Sequence, residues 1–164
     1  MPPARLRPAG PDDAAVIHRL IVDLATYERE PNAVVVTPDE LRAQLAAARP
    51  PFECILAEDD DGDVVGFALY FHNYSTWRGR PGLYLEDLFV RPDRRGRGIG
   101  KQLLVRLAQI AVERGCARME WAVLDWNEPA IAFYRALGAQ PMSEWTIFRL
   151  TDAPLRDLSQ RTCD

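Results

Sequence analysis

The chain has few of the residues that would mark a disulfide scaffold, a metal site, a membrane span or a nucleic-acid surface. It carries three cysteines, Cys54, Cys116 and Cys163. Their odd number and wide separation give neither a disulfide framework nor a zinc-binding CxxC spacing. The two histidines, His18 and His72, lie too far apart in sequence to suggest paired metal ligands, so no metal is expected. No apolar run approaches the length of about 18 residues that a membrane helix needs. Residues Met1 to Asp13 hold proline, arginine and aspartate without an apolar stretch, so no secretory signal is expected and a reducing cytoplasm is the expected home. Positive charge is not in excess either. Twenty Lys and Arg stand against 24 Asp and Glu, a net charge of -4. That balance argues against a nucleic-acid partner, which needs a clustered basic surface.

What is present reads as one domain. The 164 residues show no repeat, low-complexity tract or linker, and a chain of this length buries one substantial core. The expected domain runs over residues 4–151, with 152–164 as a C-terminal tail. Arg5 to Arg7 reads as a short strand, and Pro11-Asp12-Asp13 opens a helix. Val16, Ile17, Leu20, Ile21 and Leu24 give that helix an apolar face. Thr37-Pro38-Asp39-Glu40 is a capping box opening a second helix. Phe52 to Glu58 and Val64 to Tyr74 read as strands joined by the acidic turn Asp59 to Asp63. That turn does not fit a calcium loop, because Ala57 and Ala68 fall where the first and twelfth ligands belong. Leu83 to Val90 is a strand, Leu103 to Ala111 a helix stopped by Gly115, and Arg118 to Leu124 another strand. Asn127 and Pro129 open a short helix closed by Gly138, and Trp145 to Leu150 is a last strand. The order β-α-α-β-β-β-α-β-α-β is that of a mixed α/β sheet flanked by helices.

The richest segment is Arg94-Arg95-Gly96-Arg97-Gly98-Ile99-Gly100-Lys101, set between a strand and a helix. Glycines there let the backbone turn sharply and leave N–H groups unshielded. The helix that follows adds free N–H groups and the positive end of its dipole. Such a turn is an anion site, most often for phosphate. A P-loop is ruled out because Arg95 and Gln102 occupy its glycine and Ser/Thr positions. The dinucleotide fingerprint fits poorly, because the third glycine comes one residue early and the turn lies past mid-chain after an antiparallel-looking sheet.

A third pattern, R-x-x-G-x-G, is met from Arg95 to Gly100. With Leu83-Tyr84-Leu85-Glu86-Asp87-Leu88-Phe89-Val90 before it, and Trp126-Asn127-Glu128-Pro129-Ala130-Ile131-Ala132-Phe133-Tyr134 and Gly138-Ala139 after it, the chain resembles the GCN5-related N-acetyltransferase superfamily. Within it, the chain resembles the diamine (spermidine/spermine) branch, which includes thialysine acetyltransferases; Leu24 to Glu28 and Trp77 extend the likeness. The resemblance implies an α/β (α+β) GNAT fold, a mixed, mostly antiparallel sheet flanked by helices, with an acetyl-CoA cleft between two central parallel strands. It also implies acetyl-CoA as cosubstrate and a homodimer. Main-chain groups of Leu88, Phe89 and Val90 would hold the pantetheine arm. Arg95, Gly96, Arg97, Gly98, Ile99, Gly100 and Lys101 would hold the pyrophosphate. Asn127, Pro129 and Ala130 would touch the distal part of the cosubstrate, although Asn127 also reads as a simple helix cap.

Moving an acetyl group from a thioester to an amine poses two proton problems. The ammonium, with a pKa around 10.4 for a lysine-like group, must lose a proton before it attacks. The departing thiolate must gain one or be stabilised. Tyr134 resembles the family's general acid, though by composition alone it reads as a core aromatic. Glu86 resembles the strand carboxylate that binds the ammonium and relays its proton. Its neighbour Asp87 is expected on the opposite face of the strand, as a solvated or structural acid. Tyr27, Glu28 and Glu144 resemble further contacts to a cationic acceptor. After Glu28, the stretch Arg29-Glu30-Pro31-Asn32-Ala33 is less acidic than the polyamine pattern, which favours a short diamine or a lysine analogue. An aminoglycoside or protein N-terminus as acceptor, and a non-catalytic acyl-CoA-binding module, are the alternatives.

Overall fold

The computed structural model describes residues 4–161, so Cys163 lies outside the described residues. The chain divides into two compact units, Met1–Leu124 and Asp125–Asp164.

Five strands make the sheet of the first unit: Arg5–Pro8 (β1), Glu53–Glu58 (β2), Val64–Ser75 (β3), Arg80–Val90 (β4) and Met119–Trp121 (β5). They lie in chain order, each beside the next. The first four pair antiparallel, and β5 runs parallel to β4. A parallel neighbour needs a crossover, which the helix Ile99–Glu113 (α3) supplies. The acidic turn between β2 and β3 closes as its composition predicts, with Gly62 at φ +82 and its N–H bonded to the Asp59 carbonyl at 3.0 Å.

The apolar spacing of the helices decides how they pack. Ala14–Tyr27 (α1) turns Ile17, Leu20 and Leu24 inward, and Pro38–Leu45 (α2) adds Leu41. These meet Cys54, Leu56, Phe67, Leu69 and Phe89 from one face of the sheet. Each leucine buried this completely contributes about 1.5–3 kcal/mol. The predicted capping box at α2 is formed, Glu40 N–H donating to Thr37 Oγ1 at 3.2 Å and Thr37 N–H to Glu40 Oε2 at 2.8 Å. Val90 points away from Phe89 along the strand, and the nearest atom to a Cβ built on Gly100 is Val90 Cγ2. α3 therefore covers the opposite face, burying Leu103, Leu104, Leu107 and Ile110.

The second unit holds two helices, Glu128–Ala136 (α4) and Asp152–Ser159 (α5). It differs from expectation in two places. Trp145 to Leu150 forms no strand. Its aromatic and β-branched residues suit a strand, but a strand exists only where a neighbour completes the hydrogen-bond ladder, and the described sheet stops at β5. The tail, in turn, is helical from Asp152, with Leu155 and Leu158 one turn apart. Among the described residues, no helix is long and apolar enough to cross a membrane.

Candidate active site

A bulge in β4 shapes the first part of the site. Leu69 pairs with Asp87 and Tyr70 with Leu85, so Glu86 is left over without a partner on β3. One extra residue in a strand reverses which face each later side chain takes. Asp87 consequently shares the α1 face with Leu69 and Phe89, while Leu85 lies with Leu88 on the other. The same irregularity ends the pairing with β5, whose last partner is Leu85, matched to Trp121. From Glu86 to Val90, then, the outer edge of β4 has no strand paired to it among the described residues.

The direction of the amides along that edge follows from one bond. Arg91 N–H donates to the Val65 carbonyl at 2.9 Å, toward β3. Antiparallel ladders alternate residue by residue, so Phe89 and Asp87 also face β3. The main-chain groups of Leu88 and Val90 face outward, as a strand-like ligand would require.

Three carboxylates gather near the bulge. Glu86 is exposed. Asp87 is half-buried, makes no ion pair among the described residues, and has its pKa pushed up to about 6. Burial is the main cause, with Glu86 and Glu28 adding repulsion. Burial also raises the Glu28 carboxyl. Sequence reasoning put Asp87 down as a solvated or structural acid; a strongly perturbed carboxyl instead marks it as a site candidate. Glu28 sits where α1 stops. There Arg29 takes φ +67, a left-handed conformation usually reserved for glycine, and Glu30 N–H bonds back to the Ala25 carbonyl at 2.8 Å.

The glycine-rich turn has the geometry its composition predicts. Gly96 and Gly98 lie at φ +75 and +79, and Gly98 is the residue from which α3 starts. A Cβ on either would meet nothing within 4 Å, so conformation, not crowding, requires glycine there. Gln102 N–H bonds to the Gly98 carbonyl at 3.0 Å, the first bond of the helix. The N–H groups of Ile99, Gly100 and Lys101 precede it and have no partner within the helix. Gly98→Ala is expected to cost about 1–2 kcal/mol of stability from the left-handed backbone alone. Urea unfolding midpoints of the variant and the wild type read that cost.

Of the arginines near the turn, two are already engaged. Arg94 Nε donates to Asp59 Oδ2 at 3.2 Å and its Nη1 to Asp93 at 2.7 Å, while Arg91 Nη2 reaches Asp93 at 3.0 Å. The acidic turn is thus a strut for the glycine-rich segment. Asp59 also accepts from the N–H groups of Asp61 and Asp63. Among the described residues no group of three metal-binding side chains converges. Arg97 and Lys101 form no ion pair among the described residues and are the cations left to meet an anion. Arg95 turns elsewhere: its Nε donates to the Val90 carbonyl at 2.9 Å, and its guanidinium carbon stands 4.5 Å from the Tyr27 ring centre and 5.3 Å from that of Phe89.

In the second unit, Asn127 precedes α4 with Pro129 in the first turn, and the Asn127 side chain does not cap the helix. Tyr134 is half-buried, its ring 5.4 Å from that of Phe133 and inclined by 47°. Its carbonyl accepts from Leu137 and Ala139, and Gly138 at φ +90 ends the helix as expected. Glu144 is exposed, in a turn closed by the bond from Trp145 N–H to the Met142 carbonyl at 3.1 Å. Ala130 is half-buried in the first turn of α4.

The chain has clear relatives. The acetyltransferase (GNAT) family model matches residues 15–139. A thialysine N-epsilon-acetyltransferase of Bos taurus is 40% identical over 94% of this chain and 96% of its own length. An L-ornithine N5-acetyltransferase of Arabidopsis thaliana is 33% identical over 96% of this chain and 88% of its own. Among solved structures, an integron cassette protein from the mobile metagenome of V. cholerae superposes with a TM-score of 0.81 at 25% identity, covering 98% of this chain and 100% of that one. The chain therefore belongs to the acetyltransferase (GNAT) family, in the branch that holds the thialysine N-epsilon-acetyltransferases.

Proposed function

We propose that this acetyltransferase uses acetyl-CoA to acetylate the primary amine of a small cationic acceptor, a short diamine or a lysine analogue such as thialysine. The observation that carries the reading is β4 itself. Within five residues it offers carboxylates that attract an ammonium and outward-facing amides that suit the pantetheine arm. Relatives at 40% and 33% identity are named for the N-epsilon of thialysine and the N5 of ornithine, which supports a short acceptor, while another at 35% is a spermidine/spermine N(1)-acetyltransferase-like protein. A long polyamine is the less favoured substrate, since Arg29 follows Glu28 directly.

In this reading Gly96, Gly98, Gly100 and the first N–H groups of α3 hold the diphosphate, with Arg97 and Lys101 adding charge. Leu88 and Val90 orient the thioester arm through N–H groups at the open edge. Asn127, Pro129 and Ala130 contact the distal part of the cosubstrate. Tyr27, Glu28, Glu86 and Glu144 line the acceptor side. Glu86 takes the ammonium proton, directly or through water, and Asp87 adds negative field that favours a cation beside it. Tyr134 gives its phenolic proton to the departing sulfur. Attack by the amine is direct, as the family resemblance implies; Cys54 is a core residue whose thiol is pushed up by burial, which does not suit it to carry an acyl group.

Mass spectrometry of a panel of amines incubated with the purified protein and acetyl-CoA tests the assignment. Thialysine, ornithine and short diamines should gain one acetyl group, with thiol released only when amine is present. Acetylation of aminoglycosides or peptide N-termini alone would reassign the acceptor. Thiol release without amine, or none, would reduce the protein to an acyl-CoA-binding module.

A homodimer in the cytoplasm completes the proposal. Trp145, Ile147 and Phe148 are 67%, 76% and 92% exposed, a run of large apolar side chains that a partner subunit would cover. The free thiols of Cys54 and Cys116 suit a reducing compartment. Sedimentation equilibrium should give twice the 18.5 kDa chain mass.

A further inference from the structure

Arg95 heads the R-x-x-G-x-G turn, and its sequence position makes it a natural partner for the diphosphate. Its geometry does not. The Nε–H is committed to the Val90 carbonyl at 2.9 Å, one of the outward-facing groups of β4. The guanidinium carbon lies over the ring of Tyr27, the last residue of α1, at 4.5 Å from its centre, and over the Phe89 ring at 5.3 Å. Three elements therefore meet at a single side chain: the open strand edge, the start of the glycine-rich turn, and the end of α1 that carries Glu28.

We propose that Arg95 is a positioning residue for the acceptor side, setting Tyr27 and with it Glu28 against β4, and is not a ligand of the diphosphate. The inference rests on the acetyltransferase reading above. The neighbouring cations fit this division. Arg91 and Arg94 are held by Asp93 and Asp59, and Arg97 and Lys101 remain for the anion. Stacking on an aromatic ring while donating in plane to a carbonyl uses the planar fork of arginine, and a lysine ammonium has no such plane. Charge alone will not replace it.

The test compares wild type with Arg95→Lys on two donors, acetyl-CoA and acetyl-pantetheine, which carries the same thioester without the diphosphate. Arg95→Lys should raise the KM for the amine about tenfold with both donors while kcat changes less than threefold, a split that simple loss of folded protein would not produce. Tyr27→Leu should raise the amine KM similarly, and the double variant should be no worse than the worse single variant, because both changes remove one contact. A defect seen with acetyl-CoA and abolished with acetyl-pantetheine would make Arg95 a diphosphate ligand and overturn the proposal. So would losses that multiply in the double variant. If Arg95→Lys does not fold, donor independence and the amine-KM rise in Arg95→Gln decide the same question. A wild type inactive toward every amine would sink the acetyltransferase reading itself; an active wild type with a donor-dependent defect sinks this inference alone.

Discussion

Replacing Tyr134 with phenylalanine is expected to lower kcat by about 10²- to 10⁴-fold, the range for loss of a positioned general acid. The substitution removes one hydroxyl and keeps the ring that stands 5.4 Å from Phe133, so α4 should survive it. The KM for acetyl-CoA should stay within about threefold of wild type, because proton donation to the sulfur acts in the transition state and not in the bound ground state. A second signature separates acid catalysis from packing. An acyl donor whose thiol leaves readily as the anion needs less help, so the defect should shrink with such a donor. Stopped-assay kinetics on both donors measure it. Turnover unchanged in Tyr134→Phe would remove the phenol from the mechanism.

Asp87→Asn should stabilise the protein by about 3 kcal/mol at pH 8, an effect of similar weight acting on the fold. The sign follows from burial. The Asp87 carboxyl titrates at about 6 in the native protein, against an ordinary 3.8. Between those values the folded state holds a proton that the unfolded chain has released. Wild-type stability therefore falls as pH rises through this window, and the loss is complete above the native pKa. The asparagine variant carries no such charge. Its advantage should be full at pH 8 and absent near pH 3.5, read from urea midpoints at each pH. The same change should raise the KM for the amine, since Asp87 then no longer adds to the field of Glu86 and Glu28. Equal midpoints for the two proteins at pH 8 would show that the carboxylate is solvated or compensated.

How much of this was legible beforehand depends on whether the cause is local. Gly96, Gly98, Gly62 and Gly138 all take the left-handed backbone that their settings suggest. Thr37 and Glu40 make their capping box. These features are written in a few adjacent residues. The bulge at Glu86 is not, because register belongs to a pair of strands, and nothing in Leu83 to Val90 says that β3 will skip one residue. The burial of Asp87 and its company with Glu28 follow from that skip and were equally hidden. The contacts of Arg95 were hidden for the same reason, since they depend on where Tyr27 ends α1. Trp145 to Leu150 shows the opposite failure, residues of strand-forming type with no neighbour to complete a ladder. The helix from Asp152 carries only Leu155 and Leu158 as an apolar signal, too little to register in eight residues.

The strut from Asp59 to Arg94 has a consequence for speed and affinity. A recognition segment whose shape is fixed in advance gives up little conformational freedom when its target arrives. Nearly all of the favourable interaction then appears as affinity, and encounter need not wait for a slow rearrangement. Cutting that tether leaves every contacting group in place, yet the chain must be ordered anew at each capture.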